Sequence, residues 1–169
     1  MSSKLIVFYS RADENYVSGV LKHLNVGNTE VVASIIGGFI DADVFKIKQI
    51  QPYSKGYNEC ITEAQSDQKR DVRPELKAYP KSLDGYDTIY LGFPNYWSTM
   101  PMAMFTFLEH FDFSQKTIKP FCTHEGSGMG ASEKDIKRLC PNATVVKGIA
   151  IRGSNVEKSR KAIERWVKE

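Results

Sequence analysis

Short runs of apolar residues alternate along this chain with longer segments in which apolar positions recur every three or four residues. The first run, Leu5–Tyr9, is uninterrupted and rich in β-forming residues, which is typical of a strand buried on both faces of a parallel sheet. Three later runs have the same character: Thr88–Phe93, Ile118–Thr123 and Val145–Ile151. The run Asp43–Ile47 contains Asp43 and Lys46, so we expect it to form an edge strand in contact with solvent.

The segment after the first strand has the periodicity of an amphipathic helix. Its apolar positions follow the spacing i, i+3, i+4 and i+7, at Val32, Ile35, Ile36 and Phe39. Asn28 is the expected N-cap, and Gly37-Gly38 is the expected stop. A short helix is therefore predicted to follow the first strand.

Three later segments also predict helices. Pro101 opens a helix whose apolar residues cover most of its surface. Ser132 and Asp135 have the spacing of a capping box before another helix. A terminal helix carries its apolar residues along one face, at Val156, Ile163, Trp166 and Val167.

Strands that alternate with helices predict an α/β fold. Right-handed crossovers place helices on both faces of the sheet, which gives a three-layer, doubly wound architecture. Five parallel strands with the second at an edge suit the order 2-1-3-4-5, and residues 1–169 are interpreted as a single domain. The segment Gln49–Tyr86 is polar and interrupted by prolines. Only Tyr57, Ile61 and Ala64 suggest a helix within it.

The composition excludes several classes of protein. No stretch approaches the roughly 20 apolar residues of a membrane span, and Met1–Lys4 leads directly into the first strand rather than into a signal peptide. The three cysteines lie too far apart for a disulfide framework or a metal-binding pair. The net charge of +3 is small, and the basic residues form no cluster interleaved with aromatics. We therefore expect a cytoplasmic protein with reduced thiols and no nucleic-acid partner.

The loop after the first strand is the first candidate site. In a sheet of this order, ligands bind beyond the carboxyl ends of the strands, where the strand order reverses. This loop begins at Ser10 and reaches Gly27-Asn28-Thr29 at the helix start, where free N–H groups and small hydroxyl residues can hold a phosphate. The same residues are equally suited to capping the helix. Neither G-x-x-x-x-G-K-[ST] nor G-x-G-x-x-G is present, which argues against a P-loop or a Rossmann site.

The loop after the third strand places two large aromatic residues between prolines. Tyr96 and Trp97 lie between Pro94 and Pro101. Such rings can sandwich a planar flavin and exclude water from it. The alternative is that both rings only pack the loop onto the core, but their position at the carboxyl end of a strand favours the ring site.

The loop after the fourth strand, Thr123–Gly130, has three glycines in eight residues. Its backbone can lie against the edge of a flat ring and direct N–H groups at pyrimidine carbonyl oxygens. Loop flexibility alone is the other explanation. His124 and Glu125 are candidate acid–base groups, although a lone histidine is more often a hydrogen-bonding loop residue.

With these residues in view, the chain resembles the flavodoxin-like family over nearly its full length. Val7–Ser10 and Gly27-Asn28-Thr29 are similar to the two halves of that family's phosphate-loop signature, separated here by the insert 11–26. Gly92–Trp97 matches its G-x-P-x-W/Y-W loop, and Thr123–Gly128 matches the T-H-x-G-S-G loop of one branch.

The resemblance implies non-covalent FMN and electron transfer through the flavin. It assigns phosphate contacts to Ser10, Asn28 and Thr29, with Gly27 at the helix start and the backbone of Arg11 beside them. It assigns ring contacts to Pro94, Asn95, Tyr96 and Trp97. It assigns pyrimidine-edge contacts to Thr123, His124, Glu125, Gly126, Ser127, Gly128 and Met129. Within the insert, Tyr16 with Asn15 either folds over the flavin or only covers the surface.

Three functions remain open from the sequence. Carrier flavodoxins are usually strongly acidic, which steers them to basic partners, whereas this chain is slightly positive. An electron carrier that serves a redox partner protein or a small acceptor is the first hypothesis. An NAD(P)H-dependent quinone or nitro-compound reductase is the second, with the aromatic loop and His124 forming a substrate pocket. A non-catalytic binding module of the same fold is the third.

The apolar helix after Pro101 suggests a homodimer, because a helix that is apolar around most of its circumference must be buried or paired. Cover by the rest of the chain is the equal alternative.

Overall fold

The computed structural model describes residues 3–169 and has a parallel central sheet with a separate hairpin. In chain order the strands are β1 (Lys4–Phe8), β2 (Asp13–Val17), β3 (Val20–Leu24), β4 (Asp43–Lys46), β5 (Thr88–Pro94), β6 (Thr117–His124), β7 (Thr144–Val145) and β8 (Ile149–Arg152). The helices are α1 (Asn28–Phe39), α2 (Tyr57–Lys69), α3 (Met102–His110), α4 (Ser132–Leu139) and α5 (Arg160–Lys168), with a 3₁₀ helix at Gly153–Lys158. No helix within residues 3–169 is long and apolar enough to cross a bilayer.

The strand order of the central sheet agrees with the prediction apart from its last strand. The order is β4-β1-β5-β6, and both β7 and β8 pair in parallel with β6. The predicted fifth strand is therefore divided in two. The division lies beside Lys119 and Pro120 of β6, which pair with neither segment. Because proline has no N–H to donate to a ladder, continuous pairing is interrupted there.

Alternate residues of β1 serve two different cores, which explains why the run is apolar throughout. Leu5 and Val7 are buried with residues of α3 and α4 on one face of the sheet. Ile6 and Phe8 are buried with residues of α1 and α5 on the other. By contrast β4 lies at the edge, where Val44 is 60% exposed, so the edge-strand prediction is confirmed.

The apolar helix α3 is covered by its own chain. Its buried residues are Met102, Ala103, Met104, Phe105, Phe107 and Leu108. The homodimer prediction depended on this surface needing a cover from elsewhere. A single chain supplies that cover, so the homodimer stays a prediction without its original support.

The ends of α1 differ from the sequence prediction. The helix continues through Gly37 and Gly38 to Phe39, so the glycine pair is not a stop. Each glycine costs a helix only about 1 kcal/mol, whereas burying Ile35 and Ile36 stabilises it by about 1.5–3 kcal/mol each. The N-cap is Gly27 rather than Asn28, which is the first helical residue.

Two further helix predictions are wrong in detail. The Ser132–Asp135 capping box does not form, because the Ser132 hydroxyl donates to the Met129 carbonyl and the Asp135 carboxylate accepts from the Thr99 hydroxyl. Val156 lies in the 3₁₀ helix and not in α5. The 3₁₀ turn nevertheless buries Val156 in the same core as Ile163 and Trp166 of α5.

Candidate functional site

A pocket of about 340 Å³ lies at the carboxyl edge of the sheet, within the usual size range of ligand sites. It is bounded by the loops that follow β1, β5 and β6 and by one side of α2. The strand order reverses between β1 and β5, so the pocket occupies the position that open α/β sheets use for ligands.

The start of α1 forms one end of the pocket. The Ser10 hydroxyl accepts a hydrogen bond of 3.1 Å from the Glu30 N–H, which satisfies one of the amides that a helix start leaves open. The amides of Asn28 and Thr29 precede it and have no acceptor within the helix. A Cβ on Gly27 would lie 2.2 Å from the Ser10 hydroxyl oxygen and 2.5 Å from the Arg11 carbonyl oxygen. Glycine is therefore required where these two segments meet.

The insert after Ser10 folds into the β2–β3 hairpin and is fixed against the start of α2. The Arg11 guanidinium donates to the carbonyls of Glu14, Ser54 and Lys55 at 2.9, 3.0 and 2.7 Å. The Glu14 carboxylate accepts from the Tyr57 N–H at 2.9 Å, where the helix dipole favours a negative charge. These contacts explain why the insert is ordered although most of β3 is exposed.

The hairpin also contributes to the pocket wall. Asn15 and Tyr16 both line the pocket, and the Tyr16 ring lies 5.9 Å from the ring of Tyr57, centre to centre. Of the two alternatives for the insert, its position along the pocket favours the one in which Tyr16 faces a ligand.

The aromatic loop after β5 is a tight turn that is held under backbone strain. Tyr96 and Thr99 exchange two backbone hydrogen bonds of 2.7 and 3.2 Å. The two central residues, Trp97 and Ser98, have φ of 52° and 73°, a left-handed conformation that costs a non-glycine residue about 1–3 kcal/mol. Asn95 stabilises the turn, because its side chain accepts from the Ser98 N–H at 3.0 Å and donates to the Gly128 carbonyl at 2.8 Å.

Tyr96 and Trp97 point to different surroundings. The Tyr96 ring packs edge-on against Tyr9 at 5.8 Å, and burial raises the pKa of the Tyr96 hydroxyl well above its usual value, with Tyr9 and Cys60 adding to the effect. The Trp97 ring is 42% exposed, and its indole N–H donates to the Ile61 carbonyl of α2 at 2.8 Å. The loop therefore presents one partly buried ring, whose hydroxyl is enclosed, and one exposed ring.

One face of α2 forms another part of the pocket wall, and sequence reasoning did not assign these residues to the site. The residues follow a helical spacing of i, i+3, i+4 and i+7: Tyr57, Cys60, Ile61 and Ala64. Burial raises the pKa of the Cys60 thiol, so it stays protonated at neutral pH and is a poor nucleophile. The spacing of Tyr57, Ile61 and Ala64 was the available signal for this helix face.

The end of β6 and the loop that follows it connect the two ends of the pocket. The Thr123 hydroxyl lies 2.7 Å from the Thr29 hydroxyl of α1, and the Thr123 carbonyl accepts from the Asn95 N–H at 2.8 Å. The His124 Nδ1 accepts a 2.9 Å hydrogen bond from the Gly126 N–H. Burial lowers the pKa of His124 and the Arg152 charge lowers it further, with Glu125 opposing. The neutral imidazole then carries its proton on Nε2.

Most of the residues predicted for the site line this one pocket. They are Arg11, Tyr16, Asn28, Thr29, Pro94, Asn95, Tyr96, Trp97, Thr123, His124, Glu125 and Ser127. Five predicted residues are not among those that line it: Ser10, Gly27, Gly126, Gly128 and Met129. Ser10 and Gly27 support the start of α1, and Met129 packs against the core on the side of α3 and α4. Ser98 lines the pocket and was not predicted.

The fold is shared with solved structures of flavoproteins. A protein from Bacteroides uniformis that is designated a flavoprotein has 27% sequence identity and a TM-score of 0.75, with 98% of this chain and 97% of that chain covered. A similarly designated protein from Bacteroides eggerthii has 24% identity and a TM-score of 0.78, with coverages of 98% and 95%. A flavoprotein from Lactobacillus acidophilus, solved in complex with FMN, has 19% identity and a TM-score of 0.65, with coverages of 92% and 96%.

No curated protein matches the chain. The sequence profile of the flavodoxin family matches residues 20–169, which includes everything from β3 to the end of the chain. The chain belongs to the flavodoxin family.

Proposed function

We propose that this flavodoxin-family protein binds FMN non-covalently in the 340 Å³ pocket and passes electrons through the flavin as a carrier. The observation that carries the proposal is the continuity of one pocket from the open amides of α1 to the aromatic turn after β5. FMN needs both features, since it joins a phosphate to a planar ring.

The phosphate end fits an anion without strong basic residues. Amides at a helix start and the helix dipole together favour a phosphate, and the hydroxyl of Thr29 lies among them. Among the described residues that line the pocket, Arg11 supplies the only guanidinium or ammonium group, and its N–H groups already donate to three carbonyls. The backbone at the start of α1 therefore carries most of the phosphate binding.

The ring end fits a flat heterocycle that is shielded from water. Tyr96 and Trp97 line the pocket together with the apolar face of α2, to which the Trp97 indole is hydrogen-bonded. When bound, FMN supplies the redox chemistry, and the protein supplies orientation and an environment of low dielectric constant. The FMN complex of the Lactobacillus acidophilus flavoprotein, which shares the fold, supports this assignment.

The neutral His124 supports a positioning role more than acid–base chemistry. Its Nδ1 is already engaged by the Gly126 N–H, which fixes the turn after β6. Its Nε2–H is the one remaining donor of the ring. A carrier needs no protein group to turn over covalently, and no residue of this pocket has to do so.

The test is an FMN titration of the purified protein. We expect the FMN fluorescence to be quenched with saturation at one equivalent per chain. At a free FMN concentration of a hundred times Kd, the melting temperature should rise by about 5 °C or more. A colourless protein whose melting temperature is unchanged by excess FMN contradicts the proposal and favours the non-catalytic binding module.

A second function, an NAD(P)H-dependent quinone or nitro-compound reductase, is favoured by the exposed aromatic rings at the pocket mouth. Tyr16 and Trp97 are each 42% exposed there, and they could stack on a planar substrate. Rapid bleaching of the bound flavin by NADPH alone, without oxygen, supports the reductase. Absence of bleaching supports a carrier that receives electrons from a partner protein.

We also infer a cytoplasmic location. Cys60, Cys122 and Cys140 are all free and buried, which suits a reducing compartment. Subcellular fractionation of the native host would test this location, and we expect the protein in the cytoplasmic fraction.

A further inference from the structure

Two buried polar atoms of pocket-lining residues have no hydrogen-bond partner within the described chain, the Tyr96 hydroxyl and the Glu125 Oε1. The Glu125 Oε1 atom is buried and makes no hydrogen bond within residues 3–169, although Glu125 lines the pocket. An unsatisfied buried acceptor costs a protein about 1–3 kcal/mol, and more when the group is charged. Such an atom requires an explanation, and a ligand donor is one.

The position of this oxygen is defined by Gly153, the first residue of the 3₁₀ helix after β8. A Cβ on Gly153 would lie 2.8 Å from the Glu125 Oε1 and 2.5 Å from the Asn28 Nδ2. The carboxylate therefore reaches back toward the start of α1. It does not simply extend along its own loop toward the aromatic turn.

Within residues 3–169, no hydrogen bond or ion pair engages the Glu125 carboxylate. No hydrogen bond joins Glu125 to Asn28, and no ion pair joins it to Arg152. Arg152 nevertheless lies beside the same loop, with its Nη2 atom 3.6 Å from where a Cβ on Gly126 would be. The Glu125 Oε1 therefore remains an acceptor without a partner among the described residues.

The segment that carries Glu125 runs between the two ends of the pocket. Thr123, two residues earlier, touches Thr29 at the α1 end through the two hydroxyls and Asn95 at the aromatic end through its carbonyl. A mononucleotide that spans the pocket must pass this segment with the chain that links its phosphate to its ring. In FMN that link is the ribityl chain, whose hydroxyl groups are donors. An ionised carboxylate is purely an acceptor.

We propose that Glu125 accepts a hydrogen bond from a ribityl hydroxyl and so selects flavins that carry the polyol chain. The proposal rests on FMN binding in this pocket. It moves Glu125 from the pyrimidine edge, where the family resemblance places it, to the linker between ring and phosphate. Glu125 is then a positioning residue that fixes the ring at the correct depth.

The test measures the affinities of three flavins for wild-type protein, Glu125→Ala and Glu125→Gln. FMN and riboflavin carry the ribityl chain, whereas lumiflavin has a methyl group in its place. We expect Glu125→Ala to lower the affinities for FMN and riboflavin by about tenfold or more, because a hydrogen bond to a charged group is lost. The affinity for lumiflavin should stay unchanged. The affinities of Glu125→Gln for FMN and riboflavin should lie between those of wild type and Glu125→Ala, because its amide oxygen still accepts a hydrogen bond.

Two controls and one further variant separate this role from a merely structural one. Glu157→Ala removes an exposed carboxylate of the 3₁₀ helix and should leave all three affinities unchanged. The melting temperature of ligand-free Glu125→Ala should equal or exceed that of wild type, because the variant loses an unsatisfied buried oxygen. Gly153→Ala should also weaken the binding of FMN and riboflavin, because its methyl group would overlap both the Glu125 Oε1 and the Asn28 Nδ2.

The contradicting outcomes are distinct. If Glu125→Ala lowers the affinity for lumiflavin as much as the affinity for FMN, the carboxylate contacts the edge of the ring and the proposal is overturned. Equal affinities of wild type and variant for all three flavins overturn it as well. If wild-type protein binds none of the three, the proposed function fails together with this inference, whereas the other two results leave FMN binding intact.

Discussion

At the scale of single residues, the site depends on close approaches that leave no room for a larger side chain. Gly27 separates the start of α1 from the Ser10 hydroxyl and the Arg11 carbonyl. The sequence predicted Gly27, Asn28 and Thr29 at this place because glycine and small hydroxyl residues at a helix start are typical of phosphate sites. It could not predict that Ser10 caps the helix from the preceding loop, since that contact is made by tertiary structure.

Gly27→Ala should weaken FMN binding and destabilise the protein by about 1–3 kcal/mol, because the methyl group would overlap the Arg11 backbone. The matched control is Gly38→Ala in the same helix, where a Cβ meets nothing within 4 Å. We expect the control to keep its FMN affinity and its free energy of unfolding to rise by up to about 1 kcal/mol. FMN titrations and urea unfolding measure both effects. Equal behaviour of the two variants would contradict the role of Gly27.

His124 should make the loop after β6 sensitive to acid. Its pKa is lowered by burial and by Arg152 from the usual 6.5, so the folded state favours the neutral ring that accepts from the Gly126 N–H. This contribution to the free energy of unfolding is complete above about pH 6.5. It is lost as the pH falls below that value, because the unfolded state binds the proton more readily.

We therefore expect the FMN affinity of the wild type to fall below pH 6.5 more steeply than that of His124→Asn. An asparagine at the same position can accept the N–H of the residue two places ahead through its side-chain oxygen, and it does not titrate. Affinities measured from pH 5 to pH 8 give the comparison, in which the titration of the FMN phosphate is common to both proteins. If the FMN affinities of the two proteins change in parallel with pH, the neutral imidazole does not stabilise the loop.

At the scale of elements, the sequence predicted the sheet well and the pocket wall poorly. β1, β5 and β6 were predicted because buried parallel strands are apolar on both faces. The face of α2 that carries Tyr57, Cys60, Ile61 and Ala64 lines a pocket instead of the core, so its segment has the polar composition of a surface element. The β2–β3 hairpin was not predicted as strands because most of β3 is exposed and shows no buried pattern.

The hydrogen bonds of Arg11 are expected to hold the β2–β3 hairpin in place, and this role can be tested. Arg11→Met removes three hydrogen bonds to the carbonyls of Glu14, Ser54 and Lys55. We expect hydrogen exchange in residues 13–24 to accelerate by about tenfold or more, while exchange in β1 and β5 stays unchanged. Arg70→Met, which breaks an exposed ion pair with Asp67, is the control and should leave the hairpin unaffected. Unchanged hydrogen exchange in the hairpin of Arg11→Met would mean that the contact between the Tyr16 and Tyr57 rings is sufficient to hold it.

At the scale of the whole molecule, topology brings three distant segments to one rim. The loops after β1, β5 and β6 are far apart in the sequence, yet parallel strands in the observed order end at the same edge. Thr123 then connects the segments directly, through Thr29 on one side and Asn95 on the other. The convergence could be predicted from the strand order. The reach of Glu125 toward Asn28 and Gly153 could not, because it depends on side-chain packing in three elements.

If one pocket holds both the phosphate and the ring of FMN, a crystal structure of the protein grown with FMN will show both groups there. We expect phosphate oxygens within hydrogen-bonding distance of the Asn28 and Thr29 amides, with the ring beside Tyr96 and Trp97. A crystal in which FMN lies outside this pocket, or in which the phosphate lies away from the start of α1, would contradict this expectation.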